Sequence, residues 1–444
     1  MPIFILFCAV IALLIFIAVL RLSAFIALSI VAIGTGLAQG MAPDALIKSV
    51  QNGIGSTLGG LVLVLGLGII LGALLSETGA AQQIADRWVQ LFGARRAKWA
   101  LSLTGFAVGL AMFYNAGFVV LIPLVFTVAR QTGLPIVSAG IATASALSVT
   151  HGFLPPHPGP TAIALMFKAD VGKTLLYGLA VAIPALLCGG IVFPEFLKKI
   201  QAAPPEALLP PPRVQAQNPP FHFSITVALM PVLLMGIATI ADLNLPAGTP
   251  LLANLKFIGD PSVAMQLSVL FALYFLGMRG VPFRHWPART DILMQQSGSA
   301  LSAAAPILLI TAAGGAFKQV LGDSGIGKDI ADVVGNAGFP PLVLGFLTAT
   351  AVRIAIGSAT VAGLTAAGII QPLLAANPGL SPELMVLSIG AGSLMCSHVN
   401  DTGFWMFKEY FGLSLRDTFR SWTVMETIVG LVGFAGVLVL SWFV

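Results

Sequence analysis

Long stretches without a single charged residue constrain this chain more than any other feature. Pro2–Leu20, Leu22–Met41 and Gly53–Ser76 contain no Asp, Glu, Lys or Arg. Each is long enough to cross about 30 Å of hydrocarbon as a helix. Composition points the same way. Charged residues make up 9% of the 444, against roughly 25% in soluble domains, and the mean hydropathy is +0.97. No soluble domain fits in what remains, so the chain is an all-α polytopic membrane protein. The net charge of +5 comes from loop lysines and arginines. No basic patch is interleaved with aromatics, which argues against a nucleic-acid partner. Cys8, Cys188 and Cys396 lie in unrelated apolar runs and form neither a disulfide framework nor a thiolate metal site. The N-terminal run lacks the positive start of a signal peptide and is expected to be the first span.

The chain also resembles itself. Ser76–Asp86 (Ser-Glu-Thr-Gly-Ala-Ala-Gln-Gln-Ile-Ala-Asp) and Gly322–Asp332 (Gly-Asp-Ser-Gly-Ile-Gly-Lys-Asp-Ile-Ala-Asp) align without a gap. At nearly the same offset, Leu147-Ser-Val-Thr-His151 meets Leu394-Met-Cys-Ser-His398. One unit used twice in a membrane protein points to a transporter with its site where the halves meet.

The first repeat is expected over 1–194, with spans at 3–20, 22–40, 57–76 and 172–193. It also holds an amphipathic segment at 79–95 and short arms at 99–113 and 116–129. A span at 136–149 is broken by His151-Gly-Phe-Leu-Pro-Pro-His-Pro-Gly159 and followed by a half-helix. The second repeat, over 223–444, has spans at 223–241, 261–278, 299–321 and 422–443, an amphipathic piece at 325–335 and arms at 340–352 and 359–376. Its broken span covers 384–397, with the break at His398-Val-Asn-Asp-Thr-Gly403. The proline-rich stretch 195–222 between them cannot be helix and is expected to be a cytoplasmic linker. An arm of thirteen residues reaches only about 20 Å. Each pair of arms is therefore expected to form a re-entrant hairpin, which leaves about five crossings per half and inverts one repeat relative to the other. The Lys/Arg clusters at Arg87–Lys98, Lys198-Lys199, Arg279–Arg289 and Arg416–Arg420 agree with such a topology if both termini are periplasmic. Lys168 and Lys173 then fall on the wrong side.

Polar groups are costly within a membrane and collect where backbone is unwound around a cavity. The first break holds Thr150, His151, His157 and Thr161, with hydroxyls suited to substrate hydroxyls and a fresh helix N-terminus that favours anions. The plain alternative is an external proline-rich loop. The second break holds Ser397, His398, Asn400 and Asp401. Asp401 is the only acid between Glu383 and Glu409, and its role is to carry a proton, to cap the next half-helix, or both. Arg353 is the only charge from Val333 to Pro382. At a hairpin tip beside Ser358 and Thr360 it is suited to clamp a carboxylate at two points, the alternative being a surface arginine at a helix end. Asn115, at the other tip, is a hydrogen-bonding or capping residue. Gly322–Lys328 has phosphate-loop spacing, but Asp329 replaces the Ser or Thr that would hold magnesium and no strand precedes it. No nucleophile–base or metal-ligand pattern supports an enzyme, and no ring of like charges supports a channel.

Thr150-His-Gly-Phe-Leu-Pro-Pro-His-Pro-Gly-Pro-Thr161, Phe113-Tyr-Asn-Ala-Gly-Phe118 and Ser397-His-Val-Asn-Asp-Thr-Gly-Phe-Trp405 resemble the gluconate permease family of proton symporters, over essentially the whole chain. Thr402 stands where many relatives are expected to have Ser, which keeps the hydroxyl. The resemblance implies the ion-transporter superfamily architecture, a homodimer, and proton-driven uptake of gluconate or a related sugar acid across the bacterial inner membrane. Relatives carrying D-serine or shorter hydroxy acids leave the substrate open, and sodium coupling is the rival mode. The proton is the expected coupling ion, with no other cofactor, and the expected partners are the carboxylate substrate and the bilayer. Arg353 would hold the carboxylate and Asn115, Thr150, Ser358, Thr360 and Asn400 would meet hydroxyls. His157, Thr161 and Ser397 complete the binding set, and Asp401 with His151 or His398 would take the proton.

Overall fold

The computed structural model describes residues 2–112, 114–202, 219–246, 248–324, 340–377, 379–399 and 401–444. Among these residues every regular element is helical. The first half runs α1 (Pro2–Leu14), α2 (Ala24–Ala38), α3 (Pro43–Glu77), α4 (Ala80–Phe92), α5 (Ala97–Ala111), α6 (Tyr114–Thr132), α7 (Ile136–Phe153), α8 (Pro158–Phe167) and α9 (Val171–Leu186). The second half runs α10 (Phe221–Asn244), α11 (Pro250–Gly259), α12 (Pro261–Ala272), α13 (Trp286–Asp323), α14 (Pro341–Ile356) and α15 (Ala359–Ala376). It ends with α16 (Pro382–Leu394), α17 (Thr402–Phe411), α18 (Leu415–Thr418) and α19 (Val424–Leu440). The order of long helix, two short arms, split helix and final span recurs in both halves. The amphipathic piece expected at 325–335 lies outside the described residues, as does most of the expected linker.

Five segments are long and apolar enough to cross a membrane among the described residues: Ile136–Phe167, Val171–Leu197, Phe221–Asn244, Pro261–Met278 and Leu415–Leu440. α7 continues through His151 to Phe153, past its expected end at 149, so Thr150 and His151 lie in the helix and the break follows them; α3 and α13 outrun their expected spans further. α3 begins at Pro43 and α13 at Trp286 because polar turns carrying Asp44 and Lys48, or Arg289 and Asp291, extend each helix beyond its apolar run. α3 also bends by 42° between Pro43–Gly59 and Val62–Glu77. α11 was not expected. It starts where Thr249 accepts from the Leu252 amide and Pro250 occupies the first turn, a common N-terminal arrangement.

α7 shows why the first break is not an external loop. The apolar window of Ile136–Phe167 is 89% buried within the protein, so protein surrounds α7 on every side and it has no face for lipid. α5, α9, α16 and α19 pack around it. Glycines set the close approaches. A Cβ on Gly390 would run into the carbonyl of Gly152, and one on Gly392 into the carbonyl of Phe346. Gly390 thus lets the two split helices touch, and Gly392 seats α16 against arm α14. Gly390→Ala is expected to destabilise the protein by about 1–3 kcal/mol through overpacking, measured as thermal unfolding of detergent-purified protein. An unchanged midpoint would refute this packing.

Candidate functional site

Three helix starts meet α7, α14 and α19 at a cavity of about 420 Å³, within the usual range for small-molecule sites of about 300–1,000 Å³. Tyr114 and Asn115 open α6, Ser358 to Val361 open α15, and Asp401 to Gly403 open α17; all line the cavity. Exposed amides at helix starts favour negative charge, so the wall is suited to an anion before any side chain is considered. Some of these amides are already used: Ser358 accepts from the Val361 amide at 3.4 Å, and Asp401 Oδ1 from the Gly403 amide at 2.8 Å.

Arg353 lies near the C-terminal end of α14, with its side chain 2% exposed. That burial rules out a snorkelling surface arginine. Its Nη2 donates to Asp401 Oδ2 in an ion pair. Its Nε and Nη1 have no hydrogen-bond partner among the described residues. Asp401 Oδ2 also accepts from Ser397 Oγ at 2.5 Å, and Ser397 Oγ accepts from Trp422 Nε1 at 2.7 Å. Asp401 is therefore a helix cap, as one of its two expected roles has it, and also the counter-ion of Arg353. Ser397 is buried behind Asp401 and holds it from one bond away.

α7 presents one face to the cavity. Ser148 and His151, three residues apart, both line it, as helical spacing requires. His151 Nε2 lies 3.3 Å from Thr360 Oγ1, and its Nδ1 has no partner among the described residues. Thr150 points elsewhere because successive helical residues are turned about 100° apart. It is fully buried against Gly109 of α5 and donates to the Leu147 carbonyl at 2.9 Å. His157 lies against the Gly109 carbonyl, 2.7 Å from Nε2, in a separate small recess. Thr161 is fully buried inside α8. None of the three lines the main cavity. His398 Nε2 lies 3.0 Å from the Ile354 carbonyl, also away from that wall. Asn400 lies outside the described residues. The cavity thus brings together Asn115, His151, Arg353, Ser358, Thr360 and Asp401.

The sequence reading passed over Glu426. It treated 422–443 as a plain apolar span, yet this carboxylate is 2% exposed and lines the cavity. Ser148 Oγ donates to its Oε1, and Oε2 has no partner among the described residues. Trp422, one turn earlier on the same face, lines the cavity too, and Tyr114 stands edge-on to it at 5.7 Å between ring centroids. The available signal was a lone acid four residues after a tryptophan in an otherwise apolar span.

A family model described as GntP family permease matches residues 1–443. The chain is 46% identical over 443 residues to the Gnt-II system L-idonate transporter of Escherichia coli (strain K12), covering 99% of each chain. It is also 46% identical over 443 residues to that organism's high-affinity gluconate transporter, again covering 99% of each. The gluconate permease of Bacillus subtilis (strain 168) is 42% identical over 455 residues, with 99% of each covered. Among solved structures, the fold is similar to the Alcanivorax borkumensis YdaH transporter, with a TM-score of 0.66 at 15% identity, covering 94% of this chain and 97% of the other.

Proposed function

Because the chain belongs to the GntP permease family, we propose that it is a secondary active transporter that takes up gluconate, L-idonate or a closely related sugar acid by proton symport. The observation that carries this reading is the pair of unpartnered guanidinium nitrogens of Arg353, on the wall of a cavity also bordered by helix starts and by hydroxyls. A buried donor without a partner is costly unless a ligand or water satisfies it. A substrate carboxylate supplies the acceptor and the charge. Asn115, Ser358, Thr360 and the free nitrogen of His151 then face its hydroxyl-bearing chain, which unsubstituted aliphatic acids lack.

In this reading the substrate carboxylate shares Arg353 with Asp401, and the two halves are inverted repeats around one site. The short arms α5–α6 and α14–α15 are re-entrant hairpins whose tips carry the site. The carrier is a homodimer in the bacterial inner membrane with both termini periplasmic, and the site is carried past a scaffold built from the first spans of each half.

Substrate class is tested by counterflow in proteoliposomes preloaded with gluconate. Unlabelled gluconate and L-idonate are expected to compete with labelled gluconate, while glucose and hexanoate are not. Effective competition by D-serine with none by L-idonate would move the assignment to the amino-acid branch. An absolute requirement for sodium would replace the proton as coupling ion.

A further inference from the structure

We propose that Glu426 carries the coupling proton, with Ser148 as its hydrogen-bond partner. The assignment rests on the symport reading above and names the group which that reading leaves open. Glu426 lies eleven residues into the Leu415–Leu440 span, about 17 Å along the helix, and so at mid-depth. It is 2% exposed, yet it borders the cavity that would hold the substrate. The ionisable groups facing that space with it are Tyr114 from α6, His151 from α7, Arg353 from α14 and Asp401 before α17. α16 contributes only Leu394 to the wall and α9 contributes nothing, although both pack on α19.

Two carboxylates thus share one cavity with one arginine. Protonating Asp401 breaks its ion pair with Arg353 and weakens an acceptor for Ser397. Protonating Glu426 breaks nothing. Oε1 continues to accept from Ser148, and the proton sits on Oε2, which is bare among the described residues. Glu426 can therefore gain and lose a proton while the Arg353 site stays assembled.

Charge then links the two ligands. With Glu426 protonated, Arg353 and Asp401 balance, and a monoanionic substrate adds one negative charge. With Glu426 ionised, the same substrate meets a cavity that is already negative. Substrate and proton each favour the other's binding, and the linkage is reciprocal. No covalent step is needed. The proton enters Oε2 from the cavity on one side of the membrane and leaves by it on the other.

The test compares wild type, E426Q and D401N as purified full-length protein with labelled gluconate. It measures binding between pH 5.5 and 8.5, counterflow, and accumulation driven by a pH gradient. Wild-type affinity is expected to weaken as pH rises, by up to about tenfold per unit for one linked proton. E426Q should bind independently of pH, exchange gluconate within about threefold of wild type and fail to concentrate it. D401N should change affinity but keep the pH slope. If E426Q accumulates gluconate on a pH gradient, or keeps the slope, the assignment is overturned while symport stands. If wild type shows no proton-driven accumulation, the symport reading falls and the assignment with it. Should E426Q lose exchange altogether, E426D decides: recovery of proton-driven uptake upholds the assignment, and continued loss shows a structural role and overturns it.

Discussion

Arg353→Gln is expected to abolish gluconate transport and to weaken gluconate binding by at least about 30-fold. The substitution removes the cation and leaves the partly buried carboxylate of Asp401 uncompensated. Truncating one member of a buried, hydrogen-bonded charge pair costs about 2–5 kcal/mol in binding. A second cost falls on the empty protein, because Asp401 keeps its place between Ser397 and the Gly403 amide but loses its counter-ion. Breaking a buried pair from one side destabilises by about 3–5 kcal/mol. The double variant Arg353→Gln/Asp401→Asn separates the two costs. It should recover much of the thermal stability and none of the binding. Arg353→Lys keeps the charge but not the planar fork, and should bind more weakly than wild type and more tightly than the glutamine variant. Isothermal titration with gluconate and thermal unfolding of each variant measure both effects. Wild-type affinity in Arg353→Gln would remove the carboxylate from this site.

Asp401→Asn has the opposite signature. Asparagine retains an oxygen for the Gly403 amide and still caps α17, so the local turn survives. The negative charge opposite Arg353 does not, and the buried guanidinium is left unbalanced at a cost of about 3–5 kcal/mol. The empty variant should therefore unfold at a distinctly lower temperature than wild type. A gluconate carboxylate restores the missing charge, so the stabilisation on adding gluconate should be larger in the variant than in wild type. Its affinity should be higher by about tenfold, because substrate no longer shares Arg353 with Asp401. A stabilisation by gluconate no larger than in wild type would show that substrate and Asp401 do not compete for Arg353.

Much of the helix order was legible in the sequence, and the reason is hydrophobic length. Interruptions expected at Tyr114-Asn115, Arg353–Ser358, His151–Gly159 and His398–Gly403 mark where an apolar helix cannot continue, although α6 already starts at Tyr114 and α14 carries Arg353 and runs on to Ile356. Helix extent was less legible, because α3 and α13 continue through polar turns that a hydropathy reading discards. Arg353 and Asp401 stood out as isolated charges in long neutral stretches. Their pairing did not, since they lie on different helices brought together only by the packing of α14 against α16. Thr150, His157 and Thr161 share a motif with His151 but not its direction: one residue along α7 turns the side chain from the cavity to Gly109. Glu426 was hidden by its surroundings, where a single acid barely lowers the hydropathy of a 26-residue span. Ser148–His151 and Trp422–Glu426 spacing places each pair on one helix face, so helical periodicity applied to the polar residues alone would have found the missing wall.

This cavity is proposed to serve concentrative, proton-driven uptake of a sugar acid. The most direct test is the accumulation of labelled gluconate in proteoliposomes holding the purified protein, under an inward proton gradient without sodium. Internal gluconate is expected to rise above the equilibrium level, to collapse to it when a protonophore is added, and not to accumulate with Arg353→Gln. Gluconate that merely equilibrates, whatever the gradient, would contradict the proposal.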